Sequence, residues 1–292
     1  MRRVGVVLHP TRPVRGALDT LRDLAATHGL ELVHVQAGDG PSGGMPAAEP
    51  DSCELIVAIG GDGTVLRALH AAAETHTPVL GVACGSLGAL STVSPAELRA
   101  GFDRIAAGDW RGRTLPALAA ETTEGKALRA INDIVLVRRG STQLIVEVRV
   151  GDDLYARLAG DGVIVATPLG SSAYSMAAGG PLLVAGTRAF LCTPLAMHGG
   201  CAPPLTVPAD RGVVLDVDPG YGGFDLEFDG HRIESSTRRF AVSMEDGYAT
   251  LVSLRESDTG LGGLRDRGLI TDSPRLLARD ARTTSSTSKA PG

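Results

Sequence analysis

The stretch Leu55-Ile56-Val57-Ala58-Ile59-Gly60-Gly61-Asp62-Gly63-Thr64 governs the reading of the chain. Its apolar run reads as a buried strand, and the glycines after it let backbone N–H groups approach anionic oxygens closely. A helical pattern from Val65 to Glu74 then points the positive end of its dipole at the same spot. Phosphate binding alone has no use for the acid in the middle of that turn. Asp62 would repel phosphate unless it binds an accompanying Mg²⁺ or takes a proton from an attacking hydroxyl. The loop therefore points to phosphoryl transfer, with Gly60, Gly61, Gly63 and Thr64 as hydrogen-bond donors that hold the phosphates of the phosphoryl donor. The plainer alternative is a tight strand-to-helix turn with an Asp cap.

Around this loop, strand and helix signals alternate: Val4 to Leu8, Val14 to Thr27, Leu30 to Val35, then Pro78 to Val82 after the loop and its helix. Such alternation predicts a parallel α/β domain over residues 1–110. Ser94-Pro95-Ala96-Glu97 has the form of a capping box opening a helix to about Ala107. The aperiodic, Gly- and Pro-rich stretch Gln36 to Asp51 reads as a surface loop and a candidate lid. From about Arg111 the runs become Val-, Ile-, Leu- and Thr-rich: Leu128 to Val137, Gln143 to Val150, Val163 to Thr167, Leu205 to Val207, Val213 to Val217 and Ala249 to Leu254. They predict a β-rich domain over 111–255. A segment 256–282 is expected to pack back on the first domain, and the polar tail 283–292 to be disordered.

Composition narrows the function classes. The 292 residues are 43% apolar, with no apolar stretch near the roughly 18 residues of a membrane span and no signal-peptide core after Met1. A cytoplasmic protein is expected, without a membrane partner. A net charge of −5 and 3% aromatic residues offer neither a broad electrostatic footprint nor stacking platforms for nucleic acid. Cys53, Cys84, Cys192 and Cys201 form no C-x-x-C pair, which argues against structural zinc and for reduced, mostly buried thiols. No G-x-x-x-x-G-K-[ST] occurs, and Gly61-x-Gly63 does not continue as a G-x-G-x-x-G, since position 66 is Leu66.

Three further segments share chemistry with the loop: Asn132-Asp133, the block from Asp161-Gly162 through Thr167-Pro168-Leu169-Gly170-Ser171-Ser172-Ala173-Tyr174, and Gly179-Gly180-Pro181. Asn offers a donor and an acceptor, and a neighbouring carboxylate accepts from a vicinal diol, so this pair suits ribose hydroxyls; alone it is most often a turn. The set, in this order across residues 4–254, resembles the NAD kinase family, with its GGDG, its Asn-Glu pair and its DG…TPTGSTAY…GGP signature. GGDG by itself is shared with the diacylglycerol and sphingosine kinases; the longer block is the sharper match. The resemblance implies an NAD kinase-like two-domain architecture with catalysis in the cleft between an α/β and a β-rich domain. It implies Asp62 as the base, Asn132 and Asp133 on the acceptor ribose, and Asp161 at the acceptor's nicotinamide end. Ser172, Ala173 and Tyr174 would surround its adenine. The donor would be ATP or another phosphoryl donor such as polyphosphate, with Mg²⁺ carried by the nucleotide. The acceptor would be NAD or a related nucleoside or nucleotide. A homodimer or homotetramer is implied, the acceptor site being completed by a neighbouring subunit.

The chain also departs from the family. Its G-x-N-x-G-x-L-G-F segment is Gly81 to Ala89 here, with Ala83 and Ala89 in place of Asn and Phe. The family Glu is Asp133, one methylene shorter. His198 falls at the family histidine but is followed by Gly199-Gly200-Cys201-Ala202-Pro203, without Leu and Arg. Contact by His198 with a ligand and a plain surface loop are equally open. Asp229-Gly230 resembles a late Asp-Gly turn, read here as a hairpin turn. These departures cluster at nucleotide-recognition surfaces. They keep two alternatives open beside an ATP-dependent NAD kinase acting on the adenosine-ribose 2′-hydroxyl: a same-fold kinase for another hydroxyl, and a non-catalytic NAD(P)-binding paralogue. A lipid kinase is disfavoured by the Thr167 to Tyr174 block and the lack of an amphipathic membrane-binding pattern.

Overall fold

The computed structural model describes residues 1–85, 88–122, 127–255 and 260–279. Ser86 and Leu87 of the Gly81–Ala89 segment, part of 256–282 and the tail 283–292 lie outside the described residues. The first part of the chain runs β1 (Arg3–Leu8), α1 (Arg15–His28), β2 (Glu31–His34), β3 (Leu55–Gly60), α2 (Asp62–Ala72), β4 (Val79–Ala83) and α3 (Leu98–Ala106). Its strands pair in parallel in the order β2-β1-β3-β4. Side chains alternate across the sheet, so Val4, Val6, Leu8, Val57 and Ile59 meet α1 and α3. Val7, Ile56, Ala58 and Val79 meet Val65, Ala68 and Leu69 of α2 on the opposite face. The capping box is present: Ser94 N and Oγ donate to Glu97 Oε2 at 2.9 and 2.7 Å, and Glu97 N donates to Ser94 Oγ at 3.3 Å.

The second part contributes β5 (Arg111–Thr122), β6 (Ala127–Ala130), β7 (Asp133–Arg138), β8 (Leu144–Val150), β9 (Asp153–Gly160) and β10 (Gly162–Ala166). After a 3₁₀ turn at Gly170–Ser172 come α4 (Tyr174–Ala177), β11 (Ala189–Leu195), β12 (Leu205–Pro208), β13 (Val213–Asp218), β14 (Phe224–Phe228), β15 (His231–Ile233), β16 (Arg239–Ser253) and α5 (Leu261–Asp266). Strands β12-β11-β10-β7-β14-β15 form an antiparallel sheet. It packs face to face on the antiparallel part of the larger sheet, through Leu136, Val163, Val165, Phe190 and Phe228 against Val146, Val148, Leu215 and Phe240.

The larger sheet does not stop at the first part of the chain. Its order is β2-β1-β3-β4-β16-β13-β8-β9, and β16 joins β4 in parallel through the pair Leu251↔Val79. The run expected as one strand from Leu128 to Val137 is two, because the chain leaves the larger sheet at Ile131-Asn132 and enters the smaller one. That crossover sets the site.

Candidate active site

With strand order 2-1-3-4, the connections from β1 go first to one side and then to the other. The carboxyl ends of β1 and β3 therefore flank a switch-point crevice, the usual ligand position in an open α/β sheet. The loops there are His9–Pro13 and Gly60–Thr64. Gly60 is buried, and any Cβ on it would overlap Thr64 Oγ1, so glycine is required for the turn to close. Thr64 is 1% exposed and its N–H donates to Gly61 O at 2.8 Å. Its hydroxyl accepts from Arg67 Nη2 at 3.4 Å. Thr64 thus braces the turn from below, and the first-turn amides left to face an anion are those of Asp62 and Gly63.

Sequence reasoning missed two cations at this loop. Arg12 Nη1 donates to Cys84 O at 3.0 Å, and its guanidinium covers Gly61 and Gly85, where a Cβ would come within 3.0 Å of that nitrogen. Arg67 reaches the loop from α2 with its Nε buried and unpaired. His9 shapes the first loop, its Nδ1 accepting from the N–H groups of Thr11 and Arg12 at 3.1 and 3.0 Å. Burial, and then the charges of Arg12 and Arg67, hold the His9 pKa below the usual histidine range, which keeps that nitrogen an acceptor. The signal for Arg12 was its place after an apolar strand neighbouring the Gly60–Thr64 loop.

Asp62 opens α2 and is half-buried. Its Oδ2 accepts from Ala89 N at 2.8 Å and its Oδ1 from Leu90 N at 3.2 Å. A Cβ at Gly88 would overlap the carboxylate. The segment after β4 therefore fixes this acid by main-chain groups, which Ala89 supplies as well as Phe would. Ala83 is 1% exposed at the end of β4, whereas Ala89 lines an open cavity.

Asn132 and Asp133 lie at the entrance of β7, beside the end of β10, with Asp133 registered against Ala166. Thr167 N donates to Asn132 O at 2.9 Å and Thr167 Oγ1 to Ile131 O at 2.6 Å. Gly170 lies so close to Asn132 O that any side chain would overlap it. Asp133 is 7% exposed, and burial, then Asp229 and Glu227, push its carboxyl up to about 7. Within the same block, Ser171 and Ser175 spend their hydroxyls on the protein, on Pro168 O at 2.7 Å and Thr193 Oγ1 at 2.8 Å. Ser172 donates to Leu169 O at 3.0 Å and borders the cavity, while Ala173 and Tyr174 are exposed.

That cavity, about 560 Å³, lies between Gly88-Ala89 and Leu169-Ser172, and Arg188 and Arg267 reach into its wall. Its size suits a nucleotide. Arg267 Nε is buried without a partner.

Asp161 and His198 stand elsewhere. Asp161 precedes β10 and pairs with Arg138 at the far end of β7; His198 N donates to Ala159 O at 2.8 Å, and it is exposed. Five strand residues separate Asp161 from the level of Asp133, about 17 Å at the usual strand rise. Within one chain Ala89, which donates to Asp62, and Ser172 border the same cavity, and Gly170 of the Ser172 turn abuts Asn132, whereas Asp161 and His198 stand apart.

Residues 35–110 match the ATP-NAD kinase N-terminal domain, and residues 131–253 the ATP-NAD kinase C-terminal domain. The NAD kinase of Heliobacterium modesticaldum is 35% identical over 241 residues, covering 79% of this chain and 85% of its own. In fold the chain is similar to yeast NADH kinase solved with NADH, with TM-score 0.79 and 22% identity over 94% of this chain and 90% of that one. It is likewise similar to the Archaeoglobus fulgidus NAD kinase solved with ATP, with TM-score 0.73 and 21% identity over 92% and 100%. Neither alternative raised by the altered acceptor residues is favoured by these relatives. The carboxylate fixed at a glycine-rich strand-to-helix turn and the sequence kinship lead to one conclusion, that the chain belongs to the ATP-NAD kinase family and is a phosphotransferase acting on a hydroxyl group.

Proposed function

We propose that the chain transfers the γ-phosphoryl group of Mg-ATP to the adenosine-ribose 2′-hydroxyl of NAD, giving NADP and ADP. The observation that carries this reading is the Asp62 carboxylate, held by the Ala89 and Leu90 amides between the switch-point crevice and the cavity. Two donors leave room among a carboxylate's roughly four lone-pair positions for a ribose hydroxyl. Asp62 takes the proton of that hydroxyl, the oxygen bonds to the γ-phosphorus, and the bond to the β–γ bridging oxygen breaks with ADP as leaving group. Charge on the transferring group falls to the amides of Asp62 and Gly63, to Arg12 and Arg67, and to the Mg²⁺ that enters with the nucleotide. Asn132 and Asp133 hold the ribose, and Ser172, Ala173 and Tyr174 border the adenine. ATP as donor is supported by the Archaeoglobus fulgidus relative solved with it.

Asp161 and His198 belong to this site through a second copy in a homodimer or homotetramer. The separation of about 17 Å along β10 supports that assignment, since one protomer holds them away from Asp133. We divide the chain near residues 110 and 255, with catalysis between the two parts, and place the enzyme in the cytoplasm. Among the described residues no helix is long and apolar enough to cross a membrane.

Purified protein incubated with NAD, ATP and Mg²⁺ forms NADP, and polyphosphate in place of ATP tests the donor. Asp62→Asn keeps NAD binding and lowers kcat by about 10²-fold or more. Absence of NADP alongside an active control kinase would refute the reading.

A further inference from the structure

Asp229 has a larger task than the hairpin turn it forms. The turn itself is there: Asp229 and Gly230, with φ of 49° and 74°, join β14 to β15. Its carboxylate, however, is 2% exposed and aimed away from the turn. Oδ2 accepts from Ile131 N at 2.8 Å, and Oδ1 from Asn132 N at 2.6 Å and Asp133 N at 3.2 Å. One side chain thus holds the whole main-chain crossover that carries the acceptor pair. A further bond to Oδ2 comes from His70 Nε2 at 2.7 Å, and His70 Nδ1 lies 3.0 Å from the hydroxyl of Tyr248 on β16.

His70 sits on α2 about two turns beyond Asp62, so the network has a base-bearing helix at one end and the acceptor crossover at the other. A carboxylate only accepts, so Nε2–H is the donor to Asp229, and the second ring nitrogen is left to the Tyr248 hydroxyl. Burial raises the Tyr248 pKa, which keeps that hydroxyl protonated.

We infer that His70, oriented by Tyr248, is a positioning residue that locks α2 to Asp229 and so sets the distance between the Asp62 carboxylate and the ribose held at Ile131–Asp133. The inference rests on the proposed acceptor site. Neither His70 nor Asp229 touches substrate. Their effect passes through the crossover, because a shift of the acceptor ribose by about 1 Å is enough to cost on the order of 10²-fold in rate.

Steady-state kinetics of the full chain test it. His70→Leu lowers kcat/KM for NAD by about 10²-fold and leaves KM for ATP within about two-fold, because the hydrogen bonds of His70 run to Asp229 and Tyr248. His70→Gln, whose Nε2–H can donate to Asp229, recovers at least half of that loss on a logarithmic scale. Tyr248→Phe removes one hydroxyl and costs about five-fold in the same parameter. Melting temperature is followed in parallel. If His70→Leu lowers only the melting temperature, or if Gln rescues nothing, the positioning role is wrong. Asn132→Ala separates this from the underlying reading: a raised KM for NAD there, with no kinetic change in either His70→Leu or Tyr248→Phe, overturns the inference and keeps the acceptor site. An unchanged KM in Asn132→Ala overturns both.

Discussion

Asp133 is a carboxyl held inside the protein, 7% exposed. With burial, Asp229 and Glu227 acting together, its carboxyl is pushed up to about 7 from an unfolded value of 3.8. Between those values the folded chain keeps a proton that the unfolded chain has lost. Folding stability is therefore greatest below pH 4 as far as this group is concerned, and it declines as the pH rises towards 7. Asp133→Asn removes that slope: thermal melts should show the variant equal to the parent below pH 4 and increasingly more stable than it as the pH rises to 8. Gly88 offers a second test at this scale. The methyl group of Gly88→Ala must displace the Asp62 carboxylate, so kcat should fall by about 10²-fold while circular dichroism stays unchanged. Asp62 itself was legible because its loop is a local pattern of strand end, glycines and helix start. Asp229 was read as a turn and no more, since its carboxylate's partners lie 98 and 159 residues away in sequence.

Strands β5 and β16 show what periodicity could not reveal about elements. β5 reads Arg111-Gly112-Arg113-Thr114-Leu115-Pro116-Ala117, a composition poor in β formers, and Pro116 argues against a strand. The proline is tolerated because the β5–β16 register breaks between Glu245 and Ala249, where no ladder bond is required of it. The same bulge carries Gly247 at φ 75° and delivers Tyr248 to His70. Gly247→Ala should therefore destabilise the chain by about 1 kcal/mol, measured by denaturant unfolding, and raise KM for NAD with it. β9 went unread for a related reason: it is an edge strand with only two of its eight residues buried, so its apolar alternation is weak. By contrast, the parallel strands were legible because burial on both faces makes them continuous apolar runs, as in Leu55 to Ile59.

At the scale of the whole molecule, the two groups of candidate residues lie apart, Asp161 about 17 Å along β10 from the level of Asp133. Mixing Asp62→Asn and Asp161→Ala proteins under conditions that exchange subunits should restore activity that neither has alone, measured as NADP formation. A site contained within one chain would give no recovery. The resemblance supplied this expectation; the residues gave only the motifs, because a short motif does not state on which end of a strand pair it will stand. The division at Arg111 captured the change from helices to strands but not the path of β16, which closes the parallel sheet from the far end of the chain. That closure has a consequence for biosynthesis. Every residue of β4 is buried, yet the flank that β16 seals at Val79 stays bare until Leu251 has been made. A nascent chain holding only the first part displays an apolar strand whose outer edge is open at Val79, available for association with other chains. That edge can be covered only after Leu251 has been synthesised, and a chain arrested before it should aggregate.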